Sequence, residues 1–486
     1  MAQKPLSESL LEIEEIDQAS NVVATYIKSA SGEKGERIDI VIPKNVNSYA
    51  KSVLNAFLPA GYPHSVTSDY LEYQVYDSLQ AFSSSIAGML SSRAVLEGIG
   101  VGDSHASPTA ALLLSVLQES MGRIATILFA HRLGTSLEPE CKMYRLLADV
   151  FNDAAMILDC LSPVFPKPAR VAVLSVSSVL RSLCGVAAGS SKASLSAHFA
   201  TQGNLGELNA KDSSQETVIS LFGMLVGSIL VSHITSKTAT WIALLFLLAV
   251  HLGTNYLAVR AVCMRTINRQ RANLIFSHVL EQISQHEKKK KEPPQRIAGR
   301  ESFYRTAPEK TDWPGPERVM NLEKVFERDG VLRWKGGILG HCKLSVGLGT
   351  LIKCFGAGIT VTGSHVNVTA STFSELFDIF KYEKYVIWYD ESRQTFLVVL
   401  EEGAETRDVL SAWLFALWFA RERKMAEKEP LMEALQRTTN YIRSVEGYIF
   451  QSLREIGWDL DVGAMETKSG VRIRRPESLK AKFNDL

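Results

Sequence analysis

Residues 217–233 (TVISLFGMLVGSILVSH) and 238–259 (TATWIALLFLLAVHLGTNYLAV) are two apolar stretches separated only by the short polar segment ITSK. Lys237 is the one formal charge between Thr217 and Val259, and a basic series follows at once: Arg260, Arg265, Arg269, Arg271 and Lys288–Lys291. A helix needs about 20 apolar residues to cross a bilayer core, and basic residues collect on its cytoplasmic side. The pattern predicts a helical hairpin integral to a membrane, in an organelle that the sequence does not identify, with a cytosolic C-terminal domain.

A glycine pair in the first stretch is typical of close helix packing. Gly223 and Gly227 have the GxxxG spacing that lets a neighbouring helix approach closely in lipid. A soluble helical core is the alternative, because residues 217–233 are near the lower length limit for a span. The helical patterns over 108–133 and 169–188 are also apolar enough to be embedded, so the number of spans stays open.

Composition argues against several classes of function. The 486-residue chain has 53 basic and 52 acidic residues and a net charge of +1, whereas a nucleic-acid-binding surface needs a basic excess. Six cysteines without a CxxC spacing and ten scattered histidines predict reduced thiols and no metal site. No GxxxxGK[ST], GxSxG or HExxH motif occurs, so we expect no cofactor, no catalytic residue and a non-enzymatic function.

Changes in composition predict a mainly α-helical fold in four segments. These are a polar N-terminal segment with a short strand at 38–42 (1–50), a helical membrane-associated bundle (51–260), a basic helix and linker (261–316), and an α+β domain (317–486). In the last segment, YVIWY (385–389) and TFLVVL (395–400) flank a turn and predict a β-hairpin. The very apolar residues 412–420 are too few to span a bilayer and predict a buried core helix.

Polar residues beside these apolar helices are the candidate ligand-binding residues: Asp149, Asp153, His198, Lys211 and Glu216. A charged side chain in a bilayer is costly and faces a partner or a water-filled path. Ion pairs that only stabilise a helix, such as Arg145 with Asp149, are the alternative interpretation.

Two further patterns place polar groups on helical faces. Asp69, Tyr73 and Asp77 recur at i, i+4 and i+8, so they line a cavity or form the exposed side of an amphipathic helix. His251 and Asn255 lie at i and i+4 within the second apolar stretch. In lipid, we expect them to hydrogen-bond to another helix or to line a path.

An ordered series of motifs occurs within residues 50–260: FLPAGYPHSVTSDYLEYQVYDSLQAF, LEGIGVGDSHASPTAA, RLLADVFNDAAMIL, HFA and AKDSSQET. Taken together, they resemble the root UVB sensitive family. The resemblance implies a membrane- or organelle-associated protein linked to UV-B responses, vitamin B6 homeostasis and auxin transport, without an established catalytic residue. It marks a set of family-pattern positions: Tyr62, Asp69, Tyr70, Gln74, Asp77, Asp103, Arg123, Asp149, Asn152, Asp153, His198, Lys211, Asp212, Gln215 and Glu216.

The chain departs from that family pattern at two places. Members commonly have a Trp-x-x-x-Asp-Gly helix where this chain has Ser115, Glu119 and Ser120, and a Gly-Ala-Thr-Arg step where it ends in Lys192. A lysine does not reproduce the bidentate geometry of arginine. The resemblance therefore does not extend such a contact to this chain.

We therefore expect a membrane protein that binds or moves a small polar metabolite, or that scaffolds proteins handling one. The resemblance suggests a vitamin B6 vitamer. Expected partners are the membrane, a small-molecule ligand and a homologous or other protein, without nucleic acid. Two alternatives remain: an interaction adaptor acting through residues 317–486, and a pyridoxal-phosphate enzyme in which Lys211 forms the Schiff base.

Overall fold

The structure is a computed structural model that describes residues 12–16, 22–31, 35–41, 57–99, 107–289, 313–354, 370–425 and 429–475. Within these residues it has twelve α-helices and eight β-strands, so the predicted mainly α-helical class is confirmed. The chain forms two compact units. The first comprises Met1–Leu112, Asp153–Ser177 and Lys192–Ala258, and the second comprises Leu113–Asn152, Ser178–Ser191 and Val259–Leu486.

Six long helices precede residue 262: α1 (Tyr70–Ile99), α2 (Pro108–Leu133), α3 (Cys141–Leu161), α4 (Lys167–Phe199), α5 (Leu205–His233) and α6 (Lys237–Ala261). The two apolar stretches of the predicted hairpin, residues 217–233 and 238–259, lie in α5 and α6. Ser236 lies in the short break between them, and its Oγ accepts a hydrogen bond of 3.0 Å from the Ala239 N–H. A serine cap of this kind marks the start of a new helix, so the predicted pair of helices is confirmed.

Within the described residues, four helical segments are long and apolar enough to cross a membrane: Leu112–Ser136, Lys167–Phe199, Leu205–His233 and Lys237–Ala261. Many of their large apolar side chains are exposed on the protein surface. Phe222, Ile229, Ile242 and Phe246 are between 58% and 67% exposed. Large exposed apolar patches are rare in water-soluble monomers, so these segments are compatible with a membrane protein.

The predicted GxxxG contact is confirmed between α1 and α5. A Cβ added at Gly223 would lie 2.9 Å from the Phe82 carbonyl oxygen and 2.6 Å from the Ser85 Cβ. At Gly227, it would lie 3.1 Å from the Met89 Cγ. The two backbones approach this closely because neither glycine has a side chain.

Three antiparallel strands occur near the N-terminus: β1 (Glu12–Ile16), β2 (Val22–Ser31) and β3 (Gly35–Val41). They form a sheet in the order β1-β2-β3. Only the third strand is predicted by the sequence. Three of the five residues of the first strand, EIEEI, are acidic, so its strand pattern is hard to distinguish from that of a charged segment.

The C-terminal half of the chain has α+β structure, as predicted. Its helices are α7 (Arg269–Lys289), α8 (Pro316–Leu322), α9 (Leu348–Lys353), α10 (Ala370–Ile379), α11 (Thr406–Met425) and α12 (Leu431–Ile456). Its strands are β4 (Val331–Trp334), β5 (Gly337–Lys343), β6 (Tyr385–Asp390), β7 (Thr395–Glu401) and β8 (Arg472–Ile473). The order is β4-β5-β7-β6, with β8 beside β7, and the antiparallel pair β6–β7 is the predicted hairpin.

The core of the second unit includes two helices that the sequence analysis treated differently. Residues Val409 to Arg421 of α11 are all buried, which confirms the predicted core helix. By contrast, α7 lies in the segment predicted to be a basic helix and linker, yet it contributes fully buried residues to the same core: Ala272, Ile275, Phe276, Val279, Leu280 and Ile283. Their spacing of three and four residues is the apolar face of a helix, and the surrounding charges obscure it in the sequence.

The two units also differ from the predicted boundaries at residues 260 and 317. Residues 113–152 and 178–191 belong to the second unit, where Tyr144 and Ala148 pack against Ala187. Lys142 in the same unit forms an ion pair with Glu323. Because these contacts join residues that are far apart in the sequence, local composition does not reveal which segments belong to which unit. The linker part of the predicted segment 261–316 lies largely outside the described residues.

Candidate functional site

A row of polar side chains lies on the buried side of α1. Gln74, Asp77, Gln80 and Ser91 are 7%, 8%, 7% and 0% exposed. A helix turns about 100° per residue, so their spacing keeps them within about a third of its circumference. We call these four residues the α1 polar row. Each buried polar group needs a hydrogen-bonding partner, and the neighbouring helices of the first unit supply several of them.

The middle of the row contacts the buried histidine of α6. His251 is fully buried; its Nδ1 lies 2.6 Å from Asp153 Oδ1 and its Nε2 lies 2.9 Å from Gln80 Nε2. A neutral imidazole with its proton on Nδ1 donates to the carboxylate and accepts from the amide NH₂. We call Asp153, His251 and Gln80 the His251 triad. The prediction that His251 bonds to other helices is confirmed, since α1 and α3 supply its partners.

The first turns of α1 contact a charged group shared by α4 and α5. Lys192 Nζ lies 2.7 Å from Asp212 Oδ2 and 2.7 Å from Glu216 Oε2. Gln74 Nε2 donates to Asp212 Oδ1 at 3.0 Å. We call these four residues the Lys192 cluster. One lysine faces two carboxylates, so its positive charge is already compensated.

A second histidine lies near the start of α1. His198 Nε2 is 3.0 Å from Asp69 Oδ2, and both side chains are buried. Its neighbour Phe199 contacts the rings of Tyr70 and Tyr73, with centroids at 5.6 and 5.1 Å. Asp69, Tyr73 and the row residue Asp77 are all buried. The predicted polar stripe therefore faces the interior of the first unit rather than solvent.

The far end of the row is held by hydroxyl groups. Asp159 on α3 is 5% exposed. Its Oδ1 accepts a hydrogen bond of 2.5 Å from Ser177 Oγ, and its Oδ2 accepts one of 3.5 Å from Ser91 Oγ. From Gln74 to Ser91 the row extends along about 26 Å of helix, close to the thickness of about 30 Å of a bilayer core.

The structure distributes the five predicted binding residues over several places. Glu216 belongs to the Lys192 cluster, His198 pairs with Asp69, and Asp153 belongs to the His251 triad. Asp149 lies in the second unit, where Arg145 Nη1 is 3.2 Å from its Oδ1. Lys211 is half-buried on α5 beside Asp212, and it is Lys192 that forms the ion pairs with Asp212 and Glu216.

Sequence reasoning missed Lys192 and Gln80 as site residues. Lys192 was noted only as a departure from the family pattern, and its partners lie on another helix. The regular spacing of Gln74, Asp77 and Gln80 is a signal that could have identified the row, because three-residue steps keep side chains on one helical side. Within the residues that the structure describes, no group of three or more His, Cys, Asp or Glu is arranged to hold a metal ion.

The second unit has a separate buried charge cluster, outside the four apolar segments. Lys142 Nζ lies 2.7 Å and Arg271 Nε lies 2.8 Å from the Glu323 carboxylate. Burial alone would raise the pKa of Glu323, but these two cations lower it below its ordinary value. For nearby Glu140, burial outweighs the attraction of Arg271 and raises the pKa to about 7. These contacts join distant parts of the sequence. The Glu323 cluster therefore has a structural role.

Comparison with known proteins identifies the family of this chain. A sequence model described as a vitamin B6 photo-protection and homoeostasis domain matches residues 43–283. RUS family member 1 of Dictyostelium discoideum is 40% identical over 271 residues, which cover 55% of this chain and 51% of that protein. The chain belongs to the root UVB sensitive family. The matched region contains the α1 polar row, the His251 triad and the Lys192 cluster.

Plant members of the root UVB sensitive family are similar to this chain over different lengths. Protein root UVB sensitive 3 of Arabidopsis thaliana is 38% identical over 236 residues, covering 48% of this chain and 53% of that protein. Protein root UVB sensitive 5 of the same plant is 22% identical over 434 residues, 85% of this chain and 75% of that protein. The chain thus spans about half the length of the Dictyostelium relative and of root UVB sensitive 3. No solved structure matches the chain.

Proposed function

We propose that this root UVB sensitive chain is an integral membrane protein that binds and moves a small polar metabolite, namely an unphosphorylated vitamin B6 vitamer. The observation that carries the proposal is the α1 polar row, which is buried while large apolar side chains of α5 and α6, such as Phe222 and Phe246, are exposed. Polar groups inside an apolar helical bundle mark the pathways of polar solutes. The vitamin class comes from the description of the matching family model.

The charges of the site favour a neutral or cationic solute. Asp69, Asp77 and Asp212 are buried carboxyl residues near the start of α1, and Lys192 is already shared between Asp212 and Glu216. A phosphate ester adds a charge of about −1.5 to −2 at neutral pH, and carboxylates repel it. Pyridoxine, pyridoxal and pyridoxamine lack this phosphate, and their hydroxyl groups and pyridine nitrogen match the amides and carboxylates of the site.

The orientation follows from the basic residues at the end of α6. Arg260 lies in the last turn of α6 and Arg265 follows the helix, and basic residues of this kind stay on the cytoplasmic side. The proposal therefore places the C-terminal domain in the cytosol. It gives the chain a carrier role without catalysis.

The proposal is tested by uptake of labelled pyridoxine into liposomes that contain the purified chain. We expect uptake above that of empty liposomes, competition by pyridoxal and pyridoxamine, and little competition by pyridoxal phosphate. Asp212→Asn removes an ionic hydrogen bond that contributes about 1.5–3 kcal/mol, so we expect uptake to fall about tenfold or more. Glu72→Gln is the matched control, because Glu72 is an exposed acid on α1.

Two results would overturn the proposal. Uptake no greater than in empty liposomes would remove the carrier role and favour an adaptor acting through the C-terminal domain. Equal transport of pyridoxal phosphate and pyridoxine would show that the carboxylates of the site do not exclude the phosphorylated vitamer.

A further inference from the structure

The His251 triad contains a buried histidine and carboxylate, an ionisable pair that is not needed to bind a neutral solute. Its histidine and carboxylate are 1% and 5% exposed and only 2.6 Å apart. We propose that the triad is a reversible proton-binding site, and that its protonation is coupled to the movement of the metabolite through the first unit. The coupling rests on the carrier function proposed above, whereas the proton-binding site itself does not.

The charge of the triad depends on one proton. When Nδ1 donates to Asp153 and Nε2 accepts from Gln80, the imidazole is neutral and the triad carries the single negative charge of the carboxylate. A proton added to Nε2 gives an imidazolium beside a carboxylate, with no net charge. The protonated form thus places opposite charges 2.6 Å apart in the interior of the first unit, where the attraction between them is stronger than in water.

Gln80 can serve both protonation states. Its amide NH₂ donates to the neutral Nε2, and its amide oxygen accepts from the protonated Nε2–H after the amide group turns over. Protonation of His251 therefore reorients a residue of the α1 polar row. A proton bound by α6 in this way changes the hydrogen-bonding group that the row presents to a solute.

Other acidic groups also lie on the helices that pack against α6. On α3, Asp159 is held by Ser91 and Ser177. On α5, Asp212 and Glu216 share Lys192. Asp77 lies one turn before Gln80 on the same buried side of α1 and adds negative potential. Asp153 is the carboxylate in direct contact with Nδ1, so its effect on the charge of His251 is strong.

The site is tested first without transport. Nuclear magnetic resonance of the purified full chain with ¹⁵N-labelled histidine follows each imidazole between pH 5 and 9, and the signal lost in His251→Gln identifies His251. We expect a reversible titration in this range that Asp153→Asn moves to lower pH, by about 1 to 3. Gln80→Glu supplies a permanent acceptor and should move it to higher pH. Thr254→Val is the matched control, since the Thr254 hydroxyl bonds within its own helix.

Transport is then measured in the same liposomes with and without an inward proton gradient. We expect the gradient to accelerate pyridoxine uptake in the wild type and in Thr254→Val, and to have no effect in Asp153→Asn. A His251 signal that does not titrate would overturn the proton site, and a titrating His251 with gradient-independent uptake would overturn the coupling. Absence of any uptake would instead refute the carrier function, while the titration still decides whether the proton site exists.

Discussion

The helices α6 and α11 are both strongly apolar, yet they differ in which residues they bury. Polar side chains are buried in α6, whereas the large apolar side chains are buried in α11. In α6, His251 and Asn255 are fully buried while Ile242 and Phe246 are about two-thirds exposed. In α11, Trp413, Leu414 and Phe415 are fully buried and the charged residues lie near the helix ends. A domain surrounded by water buries its apolar side chains, whereas helices surrounded by lipid turn their polar groups inward. The difference indicates different surroundings for the two helices.

The largest expected effect comes from truncating a ring in each helix. Trp413 is fully buried and its Nε1 donates to Asn273 Oδ1 at 3.0 Å, so Trp413→Ala should lower the free energy of unfolding by about 3–5 kcal/mol. Phe246→Ala, at an outward position, should change it by less than about 0.5 kcal/mol. Urea unfolding of both variants in the same detergent measures the difference. A large loss in Phe246→Ala would show that a protein surface covers this position.

The second prediction adds a charge at an exposed apolar position. Near the middle of α6, Phe246→Arg should cost about 2.5–3.5 kcal/mol of insertion free energy and reduce the fraction of protein that resists alkaline extraction from membranes. Phe246→Leu controls for the loss of the ring. Leu322→Arg makes the same change at an exposed position of α8, where water can hydrate the guanidinium, so extraction should not change. If Phe246→Arg were inserted as well as the wild type, the outward face of α6 would be in contact with water.

The sequence predicted the parts of the molecule that depend on local patterns. The length and hydropathy of 217–233 and 238–259 predicted α5 and α6, and turn residues between β-rich runs predicted the β6–β7 hairpin. The GxxxG spacing indicated that a neighbouring helix packs closely against Gly223, although not that this helix is α1. In each case, the residues that determine the structure are close together in the chain.

The remaining features depend on residues that are distant in sequence. Gln80, Asp153 and His251 come from three helices. The sequence singled out His251 as a histidine in an apolar stretch and Asp153 as a charge beside apolar helices, but it did not bring the two together or point to Gln80. Lys192 was passed over for Lys211, because a sequence shows that a lysine is near carboxylates in the chain but not which lysine reaches them. The core role of α7 was missed since its charges were given more weight than its apolar period.

The third prediction concerns the glycine contact within the first unit. Gly223→Ala places a methyl group 2.9 Å from the Phe82 carbonyl oxygen, so α1 and α5 must separate, at a cost of about 1–3 kcal/mol. Gly253→Ala, with no atom within 4 Å of the added Cβ, should be neutral or stabilise α6 by up to about 1 kcal/mol through helix propensity. Thermal unfolding in detergent compares the two. Equal midpoints would mean that α1 and α5 are not in close contact.

The last prediction is a pH dependence that belongs to the second unit. The pKa of Glu140 is raised from 4.5 to about 7 by burial, so the folded state holds this proton more tightly than the unfolded state. The resulting stabilisation is fully present below pH 4.5 and is lost as the pH rises towards 7.

Glu140→Gln replaces the carboxyl with a group that never ionises. We therefore expect its unfolding midpoint to match the wild type near pH 5 and to exceed it at pH 8. Glu323 does not obscure this comparison, because its lowered pKa makes its own contribution fall only at more acidic pH. Glu72→Gln, at an exposed position, controls for the loss of one negative charge. If Glu140→Gln kept the wild-type slope between pH 5 and 8, Glu140 would be ionised throughout, and its contacts with Arg269 and Arg271 would outweigh its burial.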